Sequence, residues 1–165
     1  MSVDVPATTA AHAVEATGLG RVMRESMWGF PIVETIHICA FAIVVGSIVV
    51  LDLRLVGLSR RVPLGRLAAH ILPWTLGAFA VAMLSGLTMF TAHAADYLTN
   101  GVFMLKMGLI LAAGVNAAVL HMGAMQRSGA WDADAGPPAR VRVAAAASIL
   151  MWIGVIACGR LLAYT

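Results

Sequence analysis

Four of the five histidines in this sequence lie within or beside long apolar stretches, where ionisable side chains are rare. An ionisable residue inside a membrane helix costs on the order of 2.5–3.5 kcal/mol on insertion scales, so such residues are the first candidates for function. These candidates are His37, His70, His93 and His121. Imidazoles that face each other from neighbouring helices can provide the axial ligands of a b-type haem, with small residues lining an apolar slot for the porphyrin. The histidines therefore predict bis-histidine haem b.

The depths of the four histidines suggest how they would pair. With a rise of about 1.5 Å per residue, His37 lies roughly 12 Å inside its span, and His93 lies at the same end of the next one. His70 and His121 each lie about four residues from the opposite end of their spans. We therefore expect an outer haem on His37 and His93 and an inner haem on His70 and His121. One or two haems at these depths would carry electrons within or across the membrane.

Glu34 lies one helical turn before His37 and shares a face with it. In a haem or metal site, such a carboxylate can accept the second N–H of the imidazole and orient the ring. The same Glu-x-x-His spacing supplies ligands in di-iron helix bundles, so a metal centre that uses Glu34 and the histidines is the alternative. The ten methionines would suit copper(I). The pattern assigns no catalytic residue.

The elements that must hold these residues follow from composition. The 165 residues are 61% hydrophobic and 12% charged, whereas an ordinary soluble domain is about half apolar and a quarter charged. Four stretches, at about residues 30–51, 67–92, 104–125 and 143–163, are long enough to cross a bilayer. A backbone in lipid must bond internally, and the alternation of a membrane barrel is missing, so the spans are helices. The sequence predicts an all-α, four-helix transmembrane bundle over residues 29–165.

Arginine placement predicts the topology. The positive residues cluster between spans one and two and between spans three and four, whereas the loop between spans two and three has none. The arginines concerned are Arg54, Arg60, Arg61, Arg66, Arg127, Arg140 and Arg142. The positive-inside rule then places both termini on the periplasmic side and the protein in the bacterial inner membrane. Residues 1–28 would form a periplasmic tail or an interfacial helix. This placement accounts for the basic charge without a nucleic-acid partner.

The other polar residues admit a structural explanation. Asn116 in the third span is suited to an interhelical hydrogen bond. Lys106 would reach the interface, neutralise Glu34 or, like Arg54, bind haem propionates. Asp52 and Arg54 would form an ion pair or bind a lipid headgroup. If all these residues only join helices, the chain is a structural or assembly subunit, and a transporter is a further alternative.

Small residues and the expected redox chemistry indicate possible partners. Gly154-x-x-x-Cys158 and the alanine run at 144–147 favour close helix contacts, so we expect a homo-oligomer surrounded by membrane lipids. An electron-transfer role implies a quinone or a periplasmic redox protein as partner.

Most of residues 28–125 resembles a family of small four-span bacterial membrane proteins. The matching features are Glu34-x-x-His37, Asp52-Leu-Arg54-Leu, Pro73-Trp74, Lys106, and Asn116 with His121. The resemblance implies a four-helix inner-membrane protein and gives no activity. The likeness to membrane b-type cytochromes lies in the site and not in the sequence.

Overall fold

The computed structural model describes residues 6–58, 62–123 and 136–165, with side chains at 9–58, 62–120 and 136–165. Outside turns and caps, these residues are helical. The helices are α1 Pro6–Glu15, α2 Gly18–Glu25, α3 Gly29–Val56, α4 Leu64–Phe90, α5 Ala94–Thr99, α6 Gly101–Gly123 and α7 Ala139–Leu161. Of the arginines used to predict topology, Arg60, Arg61 and Arg127 lie outside the described residues.

Four of the helices are long and apolar enough to cross a membrane, which confirms the all-α, multi-pass fold. They are α3, α4, α7 and, in α6, residues Gly101–Leu120. Large apolar side chains such as Trp74 and Leu111, each 71% exposed, point away from the protein, as expected where lipid is the solvent. The buried positions are mostly small residues, which let helix backbones approach closely.

The helix α3 continues five residues past its expected end at residue 51. Asp52 and Arg54 suggested the membrane boundary, but both side chains are buried, and the Arg54 Nε donates to the Val62 carbonyl at 2.7 Å. The helix stops where Gly57 adopts a φ of 119° and its N–H bonds to the Leu53 carbonyl. This left-handed cap suits glycine because it has no Cβ.

The spanning helices pack in the order α4, α3, α7, α6. Helix α3 contacts both α4 and α7, and α6 packs on α7. Within the described ranges, α4 and α6 do not pack along each other's length. The largest apolar cluster joins α3, α6 and α7 around Val44, Ala113, Trp152 and Val155. The helix order therefore leaves α4 and α6 apart on either side of the α3–α7 pair.

The three short helices lie together at one end of the bundle, which we call the cap end; the opposite end, where α3 ends and α4 begins, is the arginine end. Residues 1–28, expected as a tail or one interfacial helix, contain both α1 and α2. The loop expected between spans two and three contains α5. The outward orientation of the cap end stays a prediction.

Hydrogen bonds to α1 and to the chain after α4 hold the cap together. The Ala95 N–H, in the first turn of α5, donates to the Glu15 carboxylate at 2.8 Å. Arg24 of α2 donates to the carbonyls of Ala92 at 3.0 Å and Glu15 at 2.7 Å. A carboxylate is favoured at the amino end of a helix, where backbone N–H groups lack partners.

We expect Glu15→Gln to loosen α1 from α5. The Ala95 N–H, assisted by His12, lowers the pKa of the Glu15 carboxyl below its ordinary value, although partial burial opposes the shift. A lowered pKa in the folded state means that the charge stabilises the cap above pH 4.5, the ordinary value, and that this stabilisation is lost as the pH falls through the folded pKa. The loss should be about 1 kcal/mol, as for other capping residues.

Hydrogen–deuterium exchange at residues 94–99 measures this loosening. Protection should be lower in Glu15→Gln than in the unmodified protein at neutral pH, and the two should converge in acid. The matched control is Glu25→Gln, because Glu25 is exposed and makes no hydrogen bond in the described part of the chain. Equal protection in all three proteins at neutral pH would contradict the role of Glu15.

Candidate functional site around His37

His37 is held at the interface between α3 and α4. Its Nδ1 lies 2.9 Å from the Ala82 carbonyl oxygen and 3.1 Å from the Ser85 hydroxyl. Because a carbonyl oxygen only accepts, Nδ1 is the donor, and in the neutral ring Nε2 carries the lone pair. No hydrogen bond to Nε2 is present among the described residues. This is the arrangement that metal-binding histidines use to fix the tautomer and the ring orientation.

A face of small residues on α4 receives the ring. Ala82, Ser85 and Gly86 are spaced three and four residues apart, so they line one side of the helix. The Ser85 hydroxyl also donates to the Val81 carbonyl at 2.7 Å, which satisfies it within α4. A Cβ placed on Gly86 would lie 3.1 Å from the His37 Cε1, so a larger residue there would require the ring to shift by a few tenths of an ångström.

Aromatic rings continue from His37 into the core. His37 stacks on Phe41, with ring centroids 6.2 Å apart and planes 10° apart. Phe41 in turn meets Trp152 of α7 at 5.9 Å. One side of the His37 site is therefore apolar.

Charged groups on two helices act on the ring. Glu34, one turn earlier on α3, and Lys106 of α6 both interact electrostatically with His37. Lys106 also interacts with Cys158 of α7, so its side chain reaches towards the inside of the bundle. At the cap end, burial raises the pKa of the Tyr97 phenol, and the carboxylates of Glu34 and Asp96 raise it further. The site thus brings together a carboxylate, an imidazole and an amine.

The other predicted histidines lie in different surroundings. His93 is the N-cap residue of α5, and its Nδ1 lies 3.7 Å from an Asp96 carboxylate oxygen. Its side chain is 49% exposed. His70 is exposed on α4, and His121 belongs to α6, with a side chain outside the described set. No described contact joins His37 to His93, so both haem pairings stay predictions.

The metal-centre hypothesis requires several ligand side chains close together, and the described part of the chain has no such group. Within those residues, no group of three or more His, Cys, Asp and Glu side chains could hold a metal ion. Glu34 is exposed on α3. The copper hypothesis likewise stays a prediction.

Polar contacts of a different kind join the helices nearer the arginine end. Asn116 Nδ2 donates to the Ala144 carbonyl of α7 at 3.1 Å, as expected for an interhelical hydrogen bond. Asp52 is buried, and its carboxylate accepts a hydrogen bond from Ser148 of α7. No ion pair links Asp52 to Arg54 within the described ranges.

Sequence reasoning missed the residues of α4 that support His37. Ala82, Ser85 and Gly86 are small and uncharged, and they lie in an apolar stretch that contains other small residues. Their spacing of three and four was the available signal, and it gains meaning only when the partner helix is known.

We expect Gly86→Ala to destabilise the α3–α4 interface by about 1–3 kcal/mol, the usual range for overpacking. The added methyl group would push the His37 ring from its bonds to Ala82 and Ser85. Unfolding in mixed detergent micelles measures the difference. The matched control is Gly77→Ala on the same helix, where a Cβ meets nothing within 4 Å. If both variants unfold alike, Gly86 has no special role at the ring.

Comparison with known proteins identifies a family but no characterised relative. No curated protein and no solved structure matches the chain. A family model described as a family of unknown function, DUF6644, matches residues 22–165, which include α3 to α7 and the second half of α2. The chain therefore belongs to the DUF6644 family.

Proposed function

We propose that this chain is a membrane-embedded b-type haem protein that transfers electrons, with His37 as one axial ligand. The observation that carries the proposal is the His37 imidazole, whose Nδ1 donates to the Ala82 carbonyl inside a membrane helix pair. This hydrogen bond is compatible with a ring that only packs between helices. It also leaves Nε2 with the lone pair that a haem iron requires. Both the family and the fold are compatible with other functions, so the proposal depends on this side chain.

The chemistry of the His37 surroundings supports the proposal. Gly86 has no side chain, so the His37 ring lies close to the backbone of α4. Within the described residues, α4 and α6 are separated along their lengths. Phe41 supplies an apolar wall. When bound, a haem provides a centre for one-electron transfer, and the protein sets its potential through the ligand, hydrogen bonds and burial.

The chain's own residues would orient and balance the site. The Ala82 carbonyl fixes the tautomer of His37 and makes Nε2 a more basic ligand for a metal ion. Lys106, whose charge acts on His37, would be the cation that receives a haem propionate. Arg54 lies at the arginine end of α3 and could serve only the inner haem.

The remaining sites and partners extend the same proposal. His93 lies beyond the last turn of α4 at the cap end, and it would supply the second axial ligand of the outer haem. His70 and His121 would bind the inner haem near the arginine end. We further propose a bacterial inner-membrane location with both termini outside, a quinone or periplasmic redox partner, and assembly as a homo-oligomer.

The visible spectrum of the purified full chain tests the proposal directly. Protein made under haem-replete growth should show a Soret band, a reducible α band and a pyridine-haemochrome signal. His37→Ala should lose the outer haem or change its spin state, because the iron loses a nitrogen ligand. His12→Ala is the matched control, since His12 is an exposed histidine of α1 whose side chain forms a hydrogen bond with Glu15.

The other histidine variants assign the pairs. Loss of the same absorbance in His93→Ala identifies the second outer ligand, and a separate loss in His70→Ala and His121→Ala reports an inner haem. A folded protein with no haem would overturn the proposal. Elemental analysis of that sample would then test for stoichiometric copper or another metal.

A further inference from the structure

A carboxylate is buried near the arginine end with only part of its hydrogen-bonding capacity used. Asp52 of α3 is 4% exposed. Ser148 of α7, itself 2% exposed, provides its side-chain hydrogen bond. The second carboxylate oxygen, Oδ2, is buried without a hydrogen-bond partner. Among the described residues, no other buried side-chain nitrogen or oxygen atom lacks a hydrogen-bond partner.

An ionised carboxylate in these surroundings is poorly compensated. Both of its oxygens only accept hydrogen bonds, so the charged form needs donors on each. One hydroxyl donor satisfies one oxygen, and a buried charge without a partner is strongly unfavourable. A proton on Oδ2 removes the charge, and the neutral hydroxyl that remains costs much less to bury than the ionised group. A metal cation would instead need several oxygen ligands.

The charged groups on the neighbouring elements do not neutralise Asp52. Helix α3 packs against α4 and α7 at this end, and the three helices carry Arg54, Arg66, Arg140 and Arg142 there. Arg140 is exposed. The Nε of Arg54 donates to the Val62 carbonyl, and the Nε of Arg142 donates to the Val56 carbonyl at 3.1 Å. Arg66 is exposed, as is His70 one turn further along α4. None of them forms an ion pair with Asp52 within the described ranges.

We propose that Asp52 is a proton-binding site, whose carboxyl group is protonated inside the bundle and exchanges its proton with water at the arginine end. Release gives a proton to water and leaves a carboxylate that the Ser148 hydroxyl continues to donate to. The residue is four positions from the end of α3, about 6 Å along the axis, so the path to the aqueous phase is short. This site lies fifteen residues from His37 and does not depend on haem binding.

An apolar carbodiimide tests for the protonated group in the full-length protein. A carboxylic acid adds across one C=N bond of the reagent, its proton moves to nitrogen, and the adduct rearranges to a stable acylurea that mass spectrometry locates. We expect an adduct on Asp52 in mildly acidic solution that decreases as the pH rises through neutral. Asp52→Asn should abolish it. Asp96, whose side chain is 84% exposed on α5, is the carboxylate that should remain unmodified.

A second variant and a second measurement keep the test decisive if Asp52→Asn folds poorly. Ser148→Ala removes the one donor to the carboxylate, so labelling of Asp52 should persist to higher pH than in the unmodified protein. Infrared difference spectra should also contain the C=O stretch of a protonated carboxyl that Asp52→Asn or Ser148→Ala alters. A folded protein with neither the adduct nor this band would overturn the proposal, whether or not it binds haem.

Discussion

Helices in a bilayer gain almost no hydrophobic free energy by touching one another, because lipid tails are as apolar as leucine. Close packing of small residues and hydrogen bonds between helices must therefore hold the bundle together. Each packed pair of spanning helices has such a bond. The pairs are His37 with Ala82 for α3–α4, Asp52 with Ser148 for α3–α7, and Asn116 with Ala144 for α6–α7. The order of the four helices follows from where these few polar groups find partners.

Two of these three interhelical hydrogen bonds involve ionisable side chains of α3. The helix contacts α4 through His37 near the cap end and α7 through Asp52 near the arginine end. Both side chains serve packing, since each bonds to a neighbouring helix. Each also retains an atom that packing does not use, namely Nε2 of His37 and Oδ2 of Asp52. The two proposed sites therefore use side chains that also hold the helices together.

The sequence was sufficient for the number of spans and the fold class, because runs of apolar residues reflect the thickness of the bilayer. Helix α3 runs to Val56, beyond the apolar stretch that ends at about residue 51, and the burial of Asp52 and Arg54 in this last part could not be read from the sequence. Their partners, Ser148 and Val62, lie on another helix or in a connecting segment. The α4 face that receives His37 was missed for a similar reason. Depth along a helix can be counted from the sequence, but the direction in which a histidine points depends on which helix lies beside it.

Gly20 of α2 lies against the last turn of α4: a Cβ there would be 2.7 Å from the Thr91 carbonyl oxygen and 2.6 Å from that of Glu15. The backbones of α2 and of the end of α4 therefore pack against each other with no side chain of Gly20 between them. A tilt of α4 in the bilayer would therefore carry the amino-terminal segment with it. A spectroscopic label on the exposed neighbour Arg21 would report motion of a lipid-embedded helix from a position in water.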